Sequence, residues 1–299
     1  MHVAFAPIYK YELPSGHRFP MEKYELLPIQ LLREGVLDQS EFFHPSRLTV
    51  DHLTLTHSPA YWQKLEQQDL SRKEIRSIGF PMTGLLVERG RYIAQGTYEC
   101  AQYADREGIS LNIAGGTHHA YADRGEGFCV FNGIAIAARM LLHEGRYRKI
   151  MVIDLDVHQG NGTAHIFRGD PGVFTFSMHG LKNYPLRKER SDLDIGLPDH
   201  TTDLEYLSEL KTQLPRIIDR FRPELVFYQA GVDVLKEDKL GRLDLSLEGC
   251  LARDHEVLSL CYSLGIPVVV TMGGGYPDRL TTLIAAHANT FKVAKTLIS

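Results

Sequence analysis

Cysteine is scarce and unpaired in this sequence. Cys100, Cys129, Cys250 and Cys261 are the only four, and no two form a C-x-x-C pair. That excludes a disulfide framework and a cysteine-type zinc site. The four read as small buried hydrophobes in a reducing compartment. No apolar run approaches the length of a membrane-spanning helix. The first residues, MHVAFAPIYKYELPSG, hold too short an apolar run for a signal peptide. By default, a cytoplasmic location is expected. Charge of one sign is not in excess, with 33 Lys and Arg against 37 Asp and Glu and a net charge of -4. Bulk charge therefore gives no footprint for direct nucleic-acid binding. Internal repeats, low-complexity segments and Pro/Gly/Ser linkers are missing too, so a single domain over residues 1–299 is expected. The Gly273-Gly274-Gly275 run lacks the spacing or the lysine of a dinucleotide or phosphate loop.

What is present is an alternation of short apolar runs with longer helical stretches. Candidate strands are Val3 to Phe5, Ser110 to Ala114, Lys149 to Asp156, Val173 to Ser177, Leu225 to Ala230 and Ile266 to Met272. Helical periodicity covers Met21 to Glu34, Arg89 to Glu107, Ile134 to His143, Glu205 to Phe221, Leu247 to Leu264 and Leu280 to Leu297. Ser58 before Pro59 marks a further helix start, as cap and first helical residue. This order predicts an α/β fold with a mostly parallel central sheet and helices on both faces. Ligands in such sheets bind beyond the carboxyl ends of the strands. Residues with unusual chemistry should therefore follow the strands.

They do. The strand from Lys149 runs into Asp154, Asp156 and His158, whose alternation can place them on one face. Two carboxylates beside an imidazole are costly unless a cation or hydrogen bonds compensate them. A polar turn is the bland alternative. The strand from Ser110 runs into Gly115-Gly116-Thr117-His118-His119, a surface loop or a catalytic pair. The strand from Leu225 runs into Asp233, which suits a helix cap or the third ligand of a metal held by Asp156 and His158. The strand from Ile266 runs into the glycine run and Tyr276. Glycines let backbone approach a ligand closely, which makes Gly274 a substrate-binding candidate. Tyr276 is either a packing residue or a donor to an oxyanion. The convergence of four strand ends favours the chemical reading of each.

Six segments together closely resemble the histone deacetylase family, whose fold is shared with arginases and acetylpolyamine amidohydrolases. They are HRFPMEKY at 17–24, GGTHHA at 115–120, RGEGFCVFN at 124–132, DLDVHQGNG at 154–162, AGVDVLKEDKLGRLDLS at 230–246 and GGGY at 273–276. They keep the family's order and span almost the whole chain. HQGNG and the segment around Asp233 look most like class IV deacetylases and their bacterial relatives.

The resemblance implies that Asp156, His158 and Asp233 bind zinc. It implies that His119 is the general base and then the acid to the leaving amine. His118 would be its electrostatic neighbour, oriented by Asp154. Tyr276 would stabilise the oxyanion. Gly127 and Phe128 would line an acyl-lysine tunnel, with Tyr184 as the opposite wall. Arg18 would sit at an internal channel below the metal. A potassium ion would lie near Asp154, Asp156, His158, Ser177 and the Met178 carbonyl. The expected activity is removal of acetyl or longer acyl groups from lysine. Small acylated amines such as acetylpolyamines are the alternative substrates, and a non-catalytic acyl-lysine binding module is the alternative role. Fe(II) suits similar ligands. One departure is informative. Many deacetylases carry Asp where this chain has Asn161, the expected partner of His119, although the class IV pattern also has Asn. Asn cannot stabilise an imidazolium by charge, so His119 is expected to hold a proton less strongly here.

Overall fold

The structure, a computed structural model, describes residues 1–298. Its elements, in order, are β1 Val3–Ala4, α1 Lys23–Arg33, β2 Phe42–Phe43, α2 Val50–Thr54, α3 Pro59–Glu66, α4 Arg72–Ile78 and α5 Gly84–Glu107. Then come β3 Ile109–Gly115, α6 Gly133–His143, β4 Ile150–Asp154, α7 Asn161–Ile166, β5 Val173–Gly180 and β6 Leu193–Leu197. The chain continues through α8 Asp203–Phe221, β7 Leu225–Ala230, α9 Leu247–Ser263, β8 Val268–Met272 and α10 Leu280–Ile298. The eight strands form one sheet in the order β2-β1-β3-β8-β7-β4-β5-β6, and every pairing is parallel. The expected α/β architecture is therefore present.

Strand periodicity explains why helices cover both faces. In β4, Ile150 and Val152 join one apolar cluster, whereas Met151 and Ile153 join the other. Leu225 and Phe227 of β7 alternate in the same way with Val226 and Tyr228. The first cluster packs on Ala101 and Ala104 of α5 and on Ala138 and Leu141 of α6. The second packs on Leu210 and Leu214 of α8, Val257 of α9 and Phe291 of α10. Each such fully buried aliphatic side chain is worth about 1.5–3 kcal/mol relative to exposure. With apolar side chains on both faces, central strands cannot turn a polar face to water.

Two of the boundary differences from the sequence reading have local causes. β4 ends at Asp154, two residues earlier than expected. The Asp154 Oδ1 accepts the Asp156 amide at 3.2 Å, and the Asp156 Oδ1 accepts the His158 amide at 3.0 Å. Successive side-chain turns of this kind compete with the ladder and end it. Helix α5 starts at Gly84 rather than Arg89, because Thr83 caps it by accepting the Leu86 amide. The edge strands β2 and β6 and the short helices α2, α4 and α7 were not foreseen. All four cysteines are buried and unbridged. Among the described residues, no helix is long and apolar enough to cross a membrane.

Candidate active site

The strands β3, β8, β7 and β4 are consecutive in the sheet, and these are the four whose carboxyl ends carry the candidate residues. Pairing of Gly115 with Met272, Ala230 with Met272, and Asp154 with Gln229 keeps those ends level. The loops that follow therefore meet over one point. Asp156, His158 and Asp233 converge there, all buried, with one ligand atom from each within 4.8 Å of the others. His158 Nδ1 lies 3.1 Å from Asp156 Oδ1 and 3.1 Å from Asp233 Oδ2. Backbone amides fix the carboxylates, since Asp233 Oδ1 accepts from Val157 at 2.9 Å and Asp156 Oδ2 from Gly274 at 2.7 Å. A side chain at Gly274 would be impossible, because its Cβ would fall 1.9 Å from Asp233 Oδ2.

Electrostatics make the trio a set able to hold a cation. Burial alone would lower the His158 pKa, but hydrogen bonds to Asp156 and Asp233 raise it to about 10. Burial and the Asp156 charge push Asp233 up to about 7. Two buried carboxylates thus compete for positive charge, and a single imidazole does not satisfy both. One His and two carboxylates suit a divalent cation with open positions. The identity of an ion is not fixed by these donors.

The paired histidines face this trio. His118 donates from Nδ1 to Asp154 Oδ2 at 2.7 Å, and His119 Nδ1 meets Asn161 Oδ1 at 2.6 Å. Their electrostatics diverge. Burial disfavours the charged form of His118, but Asp154 and Asp156 overcome it and raise the pKa. For His119, burial and the neighbours His118 and His158 drive the pKa well below its ordinary value. Asn161 is itself fixed, donating to the Tyr121 hydroxyl at 3.0 Å and to Glu126 at 3.2 Å. The Tyr276 phenol is pushed well up by burial and by Asp233 and Asp156, so it stays protonated and able to donate. Histidines, trio, Tyr276, Gly127, Phe128 and Gly274 all line one cavity.

Outward from it opens a recess of about 350 Å³ that Phe128, Tyr184 and Tyr276 share. Tyr184 stands edge-on to the His119 ring with centroids 5.0 Å apart, and its hydroxyl donates to Glu126. Gly127 has φ +54°, and a Cβ there would strike the His119 ring at 2.6 Å. Phe128 has φ +66° and packs between Phe19 and Phe80, at 5.3 and 5.2 Å. β4 and β5 pair Asp154 with Ser177, whose hydroxyl meets His179 Nδ1 at 2.9 Å. Met178 is buried in the next position of β5.

Arg18 departs from its expected place. It is exposed, lines the outer recess and stacks its guanidinium 5.0 Å over Phe128. The inner cavity is lined instead by Lys23 and Arg89. Lys23 is buried and donates to the Gly273 carbonyl at 2.8 Å. Two further residues escaped the sequence reading. Asp238 accepts the Tyr276 amide at 2.5 Å and the Leu240 and Gly241 amides at 2.8 Å, which ties the Tyr276 loop to the Asp233 loop. Arg253, fully buried in α9, donates to the Gly231 carbonyl at 2.5 Å and to the Leu155 carbonyl at 3.2 Å. It thus grips both ligand loops from beneath. The K-E-D-K-L-G turn was a usable signal for Asp238, whereas a lone Arg in a helix offers none.

A buried Asp-His-Asp trio able to hold a metal ion, facing two histidines and a phenol at the rim of a parallel α/β sheet, has the make-up of a hydrolase site. Comparison with known proteins agrees. The histone deacetylase domain model matches residues 17–291. Histone deacetylase 2 of Arabidopsis thaliana is 32% identical, over 90% of this chain and 72% of that protein. The acetoin utilization protein AcuC of Staphylococcus aureus is 28% identical, over 89% and 74% of the two chains. An uncharacterized protein of Picosynechococcus sp. is 42% identical over 98% of both. The crystal structure of the HDA15 HD domain superposes with a TM-score of 0.83 at 20% identity, covering 99% of this chain and 88% of that one, which shows the shared fold. The chain belongs to the histone deacetylase family.

Proposed function

We propose that this chain is a zinc-dependent amidohydrolase that removes acetyl or longer acyl groups from lysine side chains, with residues 1–299 acting as one catalytic domain. The observation that carries this reading is the convergence of Asp156, His158 and Asp233 with His118, His119 and Tyr276 on one cavity. A bound zinc ion would polarise the amide carbonyl and bring the pKa of water towards neutrality. The chain's own groups handle the protons. The Asn161 Oδ1 accepts from His119 Nδ1, which leaves Nε2 with a free lone pair. Because its pKa is depressed, His119 is unprotonated at neutral pH and can take the proton of the attacking water. It then returns that proton to the leaving amine. His118, charged beside Asp154, adds positive potential where negative charge develops. Tyr276 donates its phenolic hydrogen to the oxyanion. Gly127, Phe128, Tyr184 and Gly274 form the walls of the acyl-lysine slot. Asp154, Asp156, His158, Ser177 and the Met178 carbonyl would hold a potassium ion. The buried, unbridged thiols suit a reducing compartment, and we place the protein in the cytoplasm.

The test is acyl release from lysine peptides carrying acetyl to long-chain acyl groups. Turnover should vanish on chelation and return with zinc. Zinc-loaded protein that hydrolyses none of the acyl-lysine peptides would overturn the reading.

A further inference from the structure

The mouth of the site carries a charge opposite to that of the whole molecule. The chain is net negative, at -4. Yet the outer recess is lined by three cations, Arg18, Lys182 and Arg242, and by no carboxylate. Nearby acids only partly offset them. Asp199 is shared between Lys182 at 3.4 Å and Arg242 at 3.2 Å, so one carboxylate serves two cations. Glu126 accepts from the Tyr184 hydroxyl and lies 3.7 Å from Arg124. Lys239, on the turn that carries Leu240 to the recess, is paired with Asp278. Arg18 has no carboxylate partner among the described residues and is held over Phe128 by cation–π contact. Lys182 and Arg242 remain 68% and 56% exposed, so their charge reaches solvent at the entrance.

Resting on the acyl-lysine reading above, we propose that this cationic mouth selects acyl-lysines set in an acidic sequence, with Asp or Glu on either side of the modified residue. Inside the slot the acylated lysine is neutral, so the rim meets only the flanking residues. Carboxylates there would find Arg18 unpaired and Lys182 and Arg242 underpaired. Basic flanks, and the remaining ammonium groups of an acylated polyamine, would meet like charge. A low-dielectric recess focuses such a field, which acts mainly on encounter and weakly on the chemical step. Surface charges of this kind are screened beyond a Debye length of about 10 Å at 0.1 M salt. Arg18, Lys182 and Arg242 are thus specificity residues for the substrate's surroundings.

Three acetyl-lysine peptides of equal length test this, with acidic, Gly/Ser or basic flanks. Binding is read on zinc-loaded His119→Ala protein, where it does not depend on hydrolysis. At low salt the acidic peptide should bind about tenfold tighter than the basic one, and the gap should close near 1 M salt. Arg18→Glu combined with Lys182→Glu should invert the order. Equal binding of the three peptides, tighter binding of the basic one, or displacement of the acidic one by N-acetylspermidine at equal concentration would overturn the proposal. The wild-type turnover of the Gly/Ser peptide reports separately on deacylation. Turnover without a flank preference would sink only the rim, and a flank preference without turnover would sink only the chemistry.

Discussion

The buried charge beneath the site and the buried charge within it are built on opposite plans. In α9, Arg253 and Asp254 form an ion pair with both side chains wholly enclosed. Both side chains of that pair are hydrogen-bonded from within. Asp254 accepts from Arg253 at 2.7 and 3.0 Å, from the Tyr228 hydroxyl at 2.5 Å and from Thr290 at 2.6 Å. The remaining guanidinium donors go to the Gly231 and Leu155 carbonyls. Above them, Asp156, His158 and Asp233 are also buried but carry two carboxylates for one imidazole. The lower cluster is closed and neutral, whereas the upper one is left wanting a cation. The contrast separates a structural buried charge from a functional one. The first stabilises the loops, and the second is the unsatisfied group those loops present.

The largest effect should come from neutralising a member of the open cluster. Asp233→Asn keeps an oxygen for the Val157 amide but leaves Asp156 and His158 as a matched pair. Turnover of acyl-lysine should fall by roughly 10³-fold or more, with loss of bound metal by elemental analysis. Denaturant unfolding of the metal-free variant should show no loss of stability. A large loss there would mean that the trio is structural. The closed cluster should behave in reverse. Arg253→Met strands the Asp254 charge and should cost about 3–5 kcal/mol in the same unfolding experiment. Adding Asp254→Leu should recover much of that, because it removes the orphaned charge. Next in size is Tyr276→Phe, which deletes one donor without touching either cluster. A fall in kcat of about 10²–10³-fold at full metal content is expected. An unchanged kcat would make Tyr276 a packing residue.

The open cluster was legible in the sequence and the closed one was not, for a physical reason. Asp154, Asp156, His158 and Asp233 follow wholly apolar strands, where charge is conspicuous. The strands themselves were legible because β4, β7 and β8 are buried on both faces and read as continuous apolar runs. Arg253 and Asp254 sit in a helix of mixed polarity, where charge is ordinary and burial depends on what packs above. β6 was missed because it lies at the sheet edge and alternates half-buried Leu193 and Ile195 with exposed Asp194 and Gly196, so no continuous apolar run marks it. α4 carried a readable sign, Ser71 and Glu74 in a reciprocal cap, but lacks a long apolar stripe. Arg18 was misplaced because its neighbours His17 and Phe19 turn inward while it stays exposed. Tertiary placement of a single loop residue has no periodic signal to reveal it.

The smallest effect sharpens the comparison at the scale of two side chains. His118 and His119 are adjacent and buried, and their rings lie 4.1 Å apart. One rests on a carboxylate and the other on an amide, at 2.7 and 2.6 Å. That exchange of one oxygen for one nitrogen accompanies opposite shifts in pKa, upward for His118 and downward for His119. Asn161→Asp would place a negative charge on the His119 Nδ1–H and favour its imidazolium. A base must be unprotonated to act, so activity is lost as pH falls through its pKa. Raising that pKa moves the acidic limb of kcat/KM to higher pH, by about one unit. The fold should survive, since Asp retains the acceptor for His119 and loses only the donation to Tyr121 and Glu126. The new carboxylate would also face Glu126, and their mutual repulsion opposes its ionisation, which limits the size of the shift. An acidic limb that stays in place would show that Asn161 does not set the protonation of His119, and that the two histidines diverge through burial and their other charged neighbours.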